Sequence, residues 1–216
     1  MSASAFVRIT RPHNAVVAGL TALVGYLIAT GTLTPPSLLL AAVVALITAG
    51  GNVINDICDV EIDRINRPER PIPAGEISLA GAGAYTAALF AGGIALAALT
   101  TTLCFAIALA NSIILIAYAT RLKGIPVLGN LAVAYLAASV FLFGGAFAGV
   151  GGLVQNLSLA AITFLATIAR EILKDAEDVD GDAAGGAHTL PMIIGVRRTG
   201  ILAFACACGA VAASVL

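Results

Sequence analysis

The sequence is poor in charge: only 11% of its 216 residues are Asp, Glu, Lys or Arg, whereas 60% are hydrophobic. A soluble domain carries about 25% charged residues, so this chain lacks the polar surface that a water-exposed fold requires. The formal net charge is −1, and no basic excess indicates nucleic-acid binding. These scarcities exclude a soluble globular domain and argue against a nucleic-acid-binding protein.

Residues of metal and nucleophile chemistry are also scarce. The chain has two histidines and four cysteines, and the cysteines show no zinc-type spacing relative to the histidines. Free cysteine usually behaves as a small hydrophobic residue, and neither histidine has a paired nucleophile. We therefore expect no zinc site and no Ser-His or Cys-His catalytic pair.

Long apolar runs are present instead. They approach the roughly 20 helical residues that cross a bilayer, and they lack the alternation of a membrane β-strand. The sequence predicts one all-α domain over residues 1–216, a polytopic bundle of about seven transmembrane helices. The predicted spans are 14–31, 37–57, 79–98, 102–119, 129–150, 157–174 and 199–216.

The few charges fall on one side of this predicted bundle. All twelve acidic residues lie in 56–76 or 171–182, and the eleven basic residues lie at the N-terminus or around every second connection. The other connections, near 32–36, 99–101 and 150–156, carry none. Because Lys and Arg are enriched in cytoplasmic loops, we expect a multi-pass membrane protein whose charged loops face the cytoplasm.

Asn55, Asp59 and Asp63 recur every four residues at the charged end of the second predicted span. Residues four apart share one face of a helix, so three oxygen-bearing side chains form a row. Mg²⁺ prefers oxygen ligands and substrate phosphates, and the row predicts such a site. The alternative is a helix end that only meets water. Like charges four residues apart repel each other, and a solvated helix end gives no reason to place them on one face.

A second row follows the sixth predicted span, where Arg170, Lys174, Asp178 and Asp182 recur every four residues. The alternative is a structural Lys174–Asp178 ion pair, which contributes only about 0.3–0.5 kcal/mol on a helix surface. Two acidic rows on one side of the membrane favour two Mg²⁺ ions that bridge a diphosphate. Basic side chains would bind its remaining oxygens; the candidates are Arg67, Arg70, Lys123, Arg170 and Lys174.

Four stretches carry a family resemblance. "NDICDVEIDRINRPERPIPAG" (55–75) resembles the first signature of the UbiA-type membrane prenyltransferases. "REILKDAEDVDGD" (170–182), with the following "GAHTLP", resembles the second. "RITRPHN" (8–14) and "YATRLKGIPVLGN" (118–130) resemble two further motifs. The match is in the family's order and runs from residue 8 to about 195.

The resemblance implies a Mg²⁺-dependent prenyltransferase that takes a prenyl diphosphate and a lipid-like acceptor. The wording of both signatures is most similar to the archaeal ether-lipid branch, which implies transfer of a geranylgeranyl group from geranylgeranyl diphosphate to the glycerol hydroxyl of geranylgeranylglyceryl phosphate. The implied metal ligands are Asn55 and the catalytic aspartates Asp59, Asp63, Asp178 and Asp182. The implied substrate-binding residues are Arg67, Arg70, Lys123 and Lys174, with Asn14 and Asn130 as polar positions that line the cavity.

Some assignments stay open at this point. The acceptor's own phosphate needs a basic contact, for which Arg8, Arg11 and Arg121 are candidates. Asp56 or Glu171 could take up the hydroxyl proton. Members of the family usually have about nine spans, so we also expect this chain to be shortened at its C-terminus.

Other functions remain as alternatives to this one. Within the enzyme class, the alternative is an aromatic acceptor of the quinone, tocopherol or chlorophyll type. Outside it, the alternatives are an ion-coupled transporter and an inactive membrane remnant. Transporter sites lie near the bilayer midplane, whereas every acidic residue here lies in the two charged stretches at one predicted face.

Overall fold

The computed structural model describes residues 3–179 and 189–215. Within those ranges the chain forms eleven α-helices and no β-strand. Short 3₁₀ turns at Pro35–Ser37 and Leu122–Gly124 precede α3 and α7. The α-helices are α1 (Ala3–Ile9), α2 (Pro12–Thr30), α3 (Leu38–Cys58), α4 (Val60–Asn66), α5 (Leu79–Ala97), α6 (Thr102–Thr120), α7 (Leu128–Phe147), α8 (Val150–Gln155), α9 (Leu157–Glu177), α10 (Leu190–Ile194) and α11 (Val196–Ala213).

All seven predicted apolar segments form long helices, which confirms the all-α prediction. Six of these helices in the described ranges are long and apolar enough to cross a membrane: α2, α3 with its preceding turn, α5, α6, α7 and α11. The exception is α9, whose last two turns are rich in charge, so that its apolar part (157–169) is only about 20 Å long. A helix satisfies its backbone hydrogen bonds internally, which is why apolar runs in lipid adopt it.

Turn residues separate the helices as the sequence suggests. Gly31 ends α2 in the left-handed conformation, with φ 74°, and its amide bonds to the Leu27 carbonyl. Ser78 and Thr101 precede α5 and α6, and their hydroxyls accept hydrogen bonds from backbone amides in the first turn of each helix. These caps satisfy amide groups that have no partner within the helix.

Four helices, α2, α3, α6 and α7, surround the centre of the bundle, and neighbours in this ring pack on each other. Glycine permits the close α2–α7 approach, because a Cβ on Gly144 would lie 2.2 Å from the Ala22 carbonyl oxygen. Small residues allow helix backbones in membranes to come this close. Outside the ring, α5 packs on α3, α9 packs on α7, and α11 packs on α9.

The ends of the helices confirm that the described charges cluster on one side. Arg11, at the start of α2, contacts Asp56 near the end of α3, and Lys123, between α6 and α7, contacts Asp59. The opposite end holds uncharged contacts, such as Asn156 to the Gly25 carbonyl at 3.0 Å. The bundle therefore has one polar, charged end, while the cytoplasmic orientation of that end stays a prediction.

Candidate active site

The first acidic row keeps its helical register across a break in the helix. Although α3 ends at Cys58 and α4 begins at Val60, the Asp59 amide bonds to the Asn55 carbonyl (2.9 Å) and the Asp63 amide to the Asp59 carbonyl (2.8 Å). The side-chain amide of Asn55 donates to Oδ2 of Asp59 at 2.9 Å. The predicted four-residue spacing therefore corresponds to a physical row.

Each acid of this row is paired with a cation from another part of the chain. Lys123 donates to Oδ2 of Asp59, and Arg70 donates to Oδ2 of Asp63 at 2.5 Å. Asp63 is only 5% exposed, and a buried carboxylate requires such a partner because losing its water is costly. The loop that follows α4 thus folds back to neutralise Asp63, while the connection between α6 and α7 neutralises Asp59.

Asp56 is a central residue that the spacing argument did not place in the row. It is 3% exposed, and its Oδ1 accepts hydrogen bonds from Arg11 and, at 3.1 Å, from Arg70. A chain of ion pairs therefore runs Arg11–Asp56–Arg70–Asp63. The signal that could have identified it is a carboxylate within the last turn of an apolar helix, since such a group must find cations.

The second motif presents a different face from the predicted one. Arg170 and Lys174 are exposed on the outside of α9, where Arg170 pairs with Glu171. Asp175 instead points into the bundle, because its Oδ2 accepts a 2.8 Å hydrogen bond from the side-chain amide of Asn130. Sequence reasoning missed Asp175 by following one four-residue row; Glu171 and Asp175 form another row with the same spacing.

Tyr118 connects the two motifs. Its side chain, near the end of α6, lies close enough to Asp59, Glu171 and Asp175 to interact with all three carboxylates electrostatically. Acids from α3 and α9 therefore face a common region at the charged end. The convergence of the two predicted acidic rows on a metal stays a prediction, and Asp175 is the acid of α9 that bonds to the neighbouring helix α7.

A cavity of about 510 Å³ opens at this end between α2, α3, α6 and α7. Its mouth is polar and its floor is apolar. From Asn55 to Val43 it follows α3 for twelve residues, or about 18 Å. The mouth includes Arg11, Asn14, Asn52, Asn55 and Tyr118, and the floor includes Val43, Val44, Ala108, Val140 and Phe143.

Asn111 places one polar group halfway down the cavity. Its amide nitrogen donates to the Ser139 hydroxyl at 2.9 Å, and that hydroxyl donates to the Leu136 carbonyl, also at 2.9 Å. These bonds orient the amide, and its buried oxygen has no hydrogen-bond partner among the described residues. Such an acceptor costs about 1–3 kcal/mol.

The other predicted site residues have the following positions. Asn14 lines the cavity, whereas Asn130 is not among its lining residues and bonds to Asp175. Arg70 is half-buried against Asp56 and does not line the cavity either, whereas Arg67 and Asp178 are exposed. Asp182 lies outside the described residues. The roles assigned to these residues stay predictions.

The oxygen atoms near the mouth fit a Mg²⁺ site chemically. Asn55 and Lys123 both bind Oδ2 of Asp59, and within the described chain Oδ1 of Asp59 and Oδ1 of Asn55 have no hydrogen-bond partner. Hard cations prefer such ligands and fill their coordination with water and phosphate. No three His, Cys, Asp or Glu side chains among the described residues enclose a metal position by themselves, so phosphate oxygens would have to complete it.

Comparisons with known proteins agree with this geometry. The family model described as the UbiA prenyltransferase family matches residues 18–216. The digeranylgeranylglyceryl phosphate synthase of Methanoculleus marisnigri is 85% identical over 216 residues, which are 100% of this chain and 77% of that protein.

Solved structures also share the fold. One, described as giving structural and mechanistic insights into digeranylgeranylglyceryl phosphate synthase in membranes, has a TM-score of 0.88 and 36% identity and covers 98% of this chain and 75% of that chain. A UbiA homolog from Archaeoglobus fulgidus, bound to GPP and Mg²⁺, has a TM-score of 0.76 at 22% identity, over 97% of this chain and 76% of that chain.

Proposed function

Because the chain belongs to the UbiA prenyltransferase family, we propose that it transfers a geranylgeranyl group from geranylgeranyl diphosphate to the glycerol hydroxyl of geranylgeranylglyceryl phosphate. The family predicted from the sequence motifs is thereby confirmed. The reaction forms the second ether bond of an archaeal membrane lipid. The membrane location, with the charged end towards the cytoplasm, is part of the proposal.

One observation carries the choice of substrates: the 85% identity, over the whole chain, to a protein named digeranylgeranylglyceryl phosphate synthase. That name describes a product with two geranylgeranyl groups on one glyceryl phosphate. The cavity supports the same choice, since its floor is apolar and its mouth carries Arg11 and the side-chain amides of Asn14, Asn52 and Asn55. A pocket of this kind suits a hydrocarbon chain with a charged head.

The residues of this chain would act on the charged head of the donor. The C–O bond to C1 of the prenyl group breaks, and its electron pair leaves with the diphosphate. Lys123 would bind diphosphate oxygens, and so would Arg70 once the substrate displaces its carboxylate partners. Mg²⁺, when held by Asn55, Asp59 and Asp63 on one side and Asp175 and Asp178 on the other, would add positive charge against the leaving group.

The glycerol oxygen then forms the new bond to C1 and loses its proton. Of the two carboxylates considered for that proton, Asp56 is committed to Arg11 and Arg70. Glu171 acts electrostatically on Tyr118, which lines the cavity mouth, and its one ion-pair partner among the described residues is the exposed Arg170. Glu171 is therefore the better candidate for the proton acceptor. The apolar walls exclude the water that would otherwise capture C1.

The test uses the protein in membranes with radiolabelled geranylgeranyl diphosphate. One arm contains geranylgeranylglyceryl phosphate, a second contains 4-hydroxybenzoate, and each is run with Mg²⁺ and with EDTA. We expect product only from the first acceptor and only with Mg²⁺, and we expect none from Asp59→Asn. Product only from 4-hydroxybenzoate would keep the family assignment and overturn the acceptor.

A further inference from the structure

Arg11 is held in an unusual conformation at the mouth of the cavity. Its backbone is left-handed, with φ 49° and ψ 67°, a region that is unfavourable for a residue with a side chain. Neighbouring contacts maintain it: the Asn52 side chain donates to the Thr10 carbonyl at 2.8 Å, and the backbone N–H of Asn14 donates to the Arg11 carbonyl at 2.9 Å. Strain of this kind persists only where surrounding contacts enforce it.

Asp56 orients the guanidinium group of Arg11. It is bonded to Nη2 of Arg11 and is itself almost fully buried. A guanidinium group has five N–H donors in a fixed plane, and this contact occupies one terminal nitrogen. The side chain remains 34% exposed and lines the cavity. The ion-pair chain Arg11–Asp56–Arg70–Asp63 therefore ends in a positive charge at the cavity mouth.

This charge is separate from the pole that we assign to the diphosphate. Asp59 contacts Lys123, between α6 and α7, whereas Asp56 contacts Arg11, at the start of α2. Asp175 of α9 bonds to Asn130, in the first turn of α7 and therefore on the same side as Lys123. The mouth thus has two charged poles, one on the α2 side with Asn14 and Asn52 beside it, and one on the α6–α9 side.

We propose that Arg11, with Asn14 and Asn52, binds the phosphate monoester of the acceptor substrate. This inference rests on the proposed function, in which the acceptor carries a phosphate distinct from the donor's diphosphate. A guanidinium fork matches phosphate geometry and amide side chains supply further donors. A phosphate held on the α2 side places the attached glycerol between the two poles, where its hydroxyl can meet C1 of the donor. Asp56 acts as a positioning residue for Arg11.

The structure separates Arg11 from the other two bases considered for this contact. Arg8 is bonded to Glu76 at 2.5 Å, is 52% exposed and does not line the cavity. Arg121 is exposed at the end of α6 and does not line it either. Arg8→Gln is therefore a matched control, since it removes a neighbouring arginine and its ion pair without touching the cavity.

The kinetic test compares two acceptors, geranylgeranylglyceryl phosphate and the same lipid without its phosphate. We expect Arg11→Gln to raise KM for the phosphorylated acceptor about ten- to hundredfold and to leave KM for geranylgeranyl diphosphate unchanged. With the phosphate-free lipid, the activity of Arg11→Gln should be no lower than that of the wild type. Arg8→Gln should resemble the wild type with both acceptors. Equal losses with both acceptors, or no loss, would overturn the assignment.

A binding test does not depend on turnover. In EDTA and without donor, geranylgeranylglyceryl phosphate should raise the Tm of the wild type and of Arg8→Gln, because a ligand that binds the folded state stabilises it. It should not raise the Tm of Arg11→Gln. If Arg11→Gln does not fold, Arg11→Lys decides, since it keeps the charge but not the fork and should show an intermediate shift. A full shift would contradict the proposal.

The two proposals fail in distinguishable ways. If the wild type transfers no prenyl group to either glycerol lipid, the proposed function is wrong, yet the Tm measurement still reports on the phosphate site. If transfer is normal and Arg11→Gln keeps the wild-type preference for the phosphorylated acceptor, only the Arg11 assignment is wrong. Asp56→Asn should weaken that preference less than Arg11→Gln, because it loosens Arg11 without removing it.

Discussion

The side-chain amide of Asn130, in the first turn of α7, donates a 2.8 Å hydrogen bond to Oδ2 of Asp175 on α9. Two motifs separated by forty-five positions therefore meet through one contact. The bond fixes the Asp175 carboxylate towards the bundle and leaves its other oxygen without a partner in the described chain. Asp175, rather than Lys174 beside it, is thus the residue of α9 that faces the site.

Asp175→Asn should lower kcat/KM for geranylgeranyl diphosphate about 10- to 100-fold, a typical effect of losing a group that supports a metal site. The substitution keeps an oxygen that can accept the Asn130 hydrogen bond, so it removes mainly the charge. Glu177→Gln is the control, because Glu177 is exposed near the end of the same helix and its loss should change the rate less than twofold. Equal effects of both substitutions would contradict the assignment.

The sequence predicted the helices better than the site. An apolar run in a membrane has one main way to satisfy its backbone, so its position and type follow from composition. Which row of α9 faces inward depends on how α9 packs against α7, and the spacing of charges fits more than one row. The Asp56–Arg70 pair likewise depends on the path of the loop after α4 and could not be read from helical spacing.

We expect Lys123 to compete with Mg²⁺ for Asp59, because Lys123 bonds to the same carboxylate that we propose as a metal ligand. Lys123→Gln should therefore lower the Mg²⁺ concentration that gives half of the metal-induced rise in Tm about two- to fivefold, the scale of a partly exposed ion pair. The measurement is made without diphosphate. In assays, the same variant should have a higher KM for the donor, since Lys123 also binds its phosphates.

Arg121→Gln removes an exposed cation two residues away from Lys123 and should leave the midpoint Mg²⁺ concentration unchanged. If this control shifts the midpoint as much as Lys123→Gln does, the effect is one of general charge. An unchanged midpoint in Lys123→Gln would show that Asp59 does not bind the metal.

Gly144→Ala should destabilise the bundle. The added Cβ would lie 2.2 Å from the Ala22 carbonyl oxygen and 2.8 Å from the Tyr26 amide nitrogen, and backbone atoms of α2 cannot move aside without shifting that helix. Overpacking costs about 1–3 kcal/mol, which corresponds to a Tm lower by several degrees for a chain of this size. Thermal unfolding in detergent measures it.

Gly83→Ala is the matched control for that experiment. Gly83 lies in α5, and a Cβ there would meet nothing within 4 Å. Alanine is favoured over glycine in a helix by about 0.5–1 kcal/mol, so Tm should rise slightly or stay constant. If Tm falls in Gly144→Ala and rises in Gly83→Ala, the loss of stability in Gly144→Ala is due to the α2–α7 contact rather than to glycine replacement in general.

Asn111→Leu should raise Tm, because it removes a buried oxygen that has no partner in the described part of the chain and whose burial costs about 1–3 kcal/mol. Ser139 keeps its own hydrogen bond to the Leu136 carbonyl. A fall in Tm would mean that the Asn111 oxygen has a partner in the protein in solution, such as a bound water.

Ala108→Leu tests the floor of the cavity. Ala108 is buried and lines its deepest part together with Phe143, so a larger side chain there shortens the space for the end of the prenyl group. We expect kcat/KM for geranylgeranyl diphosphate to fall relative to that for the shorter geranyl diphosphate. Ala106→Leu, an exposed position on the same helix, should leave the ratio unchanged. An unchanged kcat/KM with both donors would mean that the chain of the donor ends before Ala108. A loss of equal size with both would mean that the substitution disturbs the bundle in general, so that the floor does not measure the length of the donor.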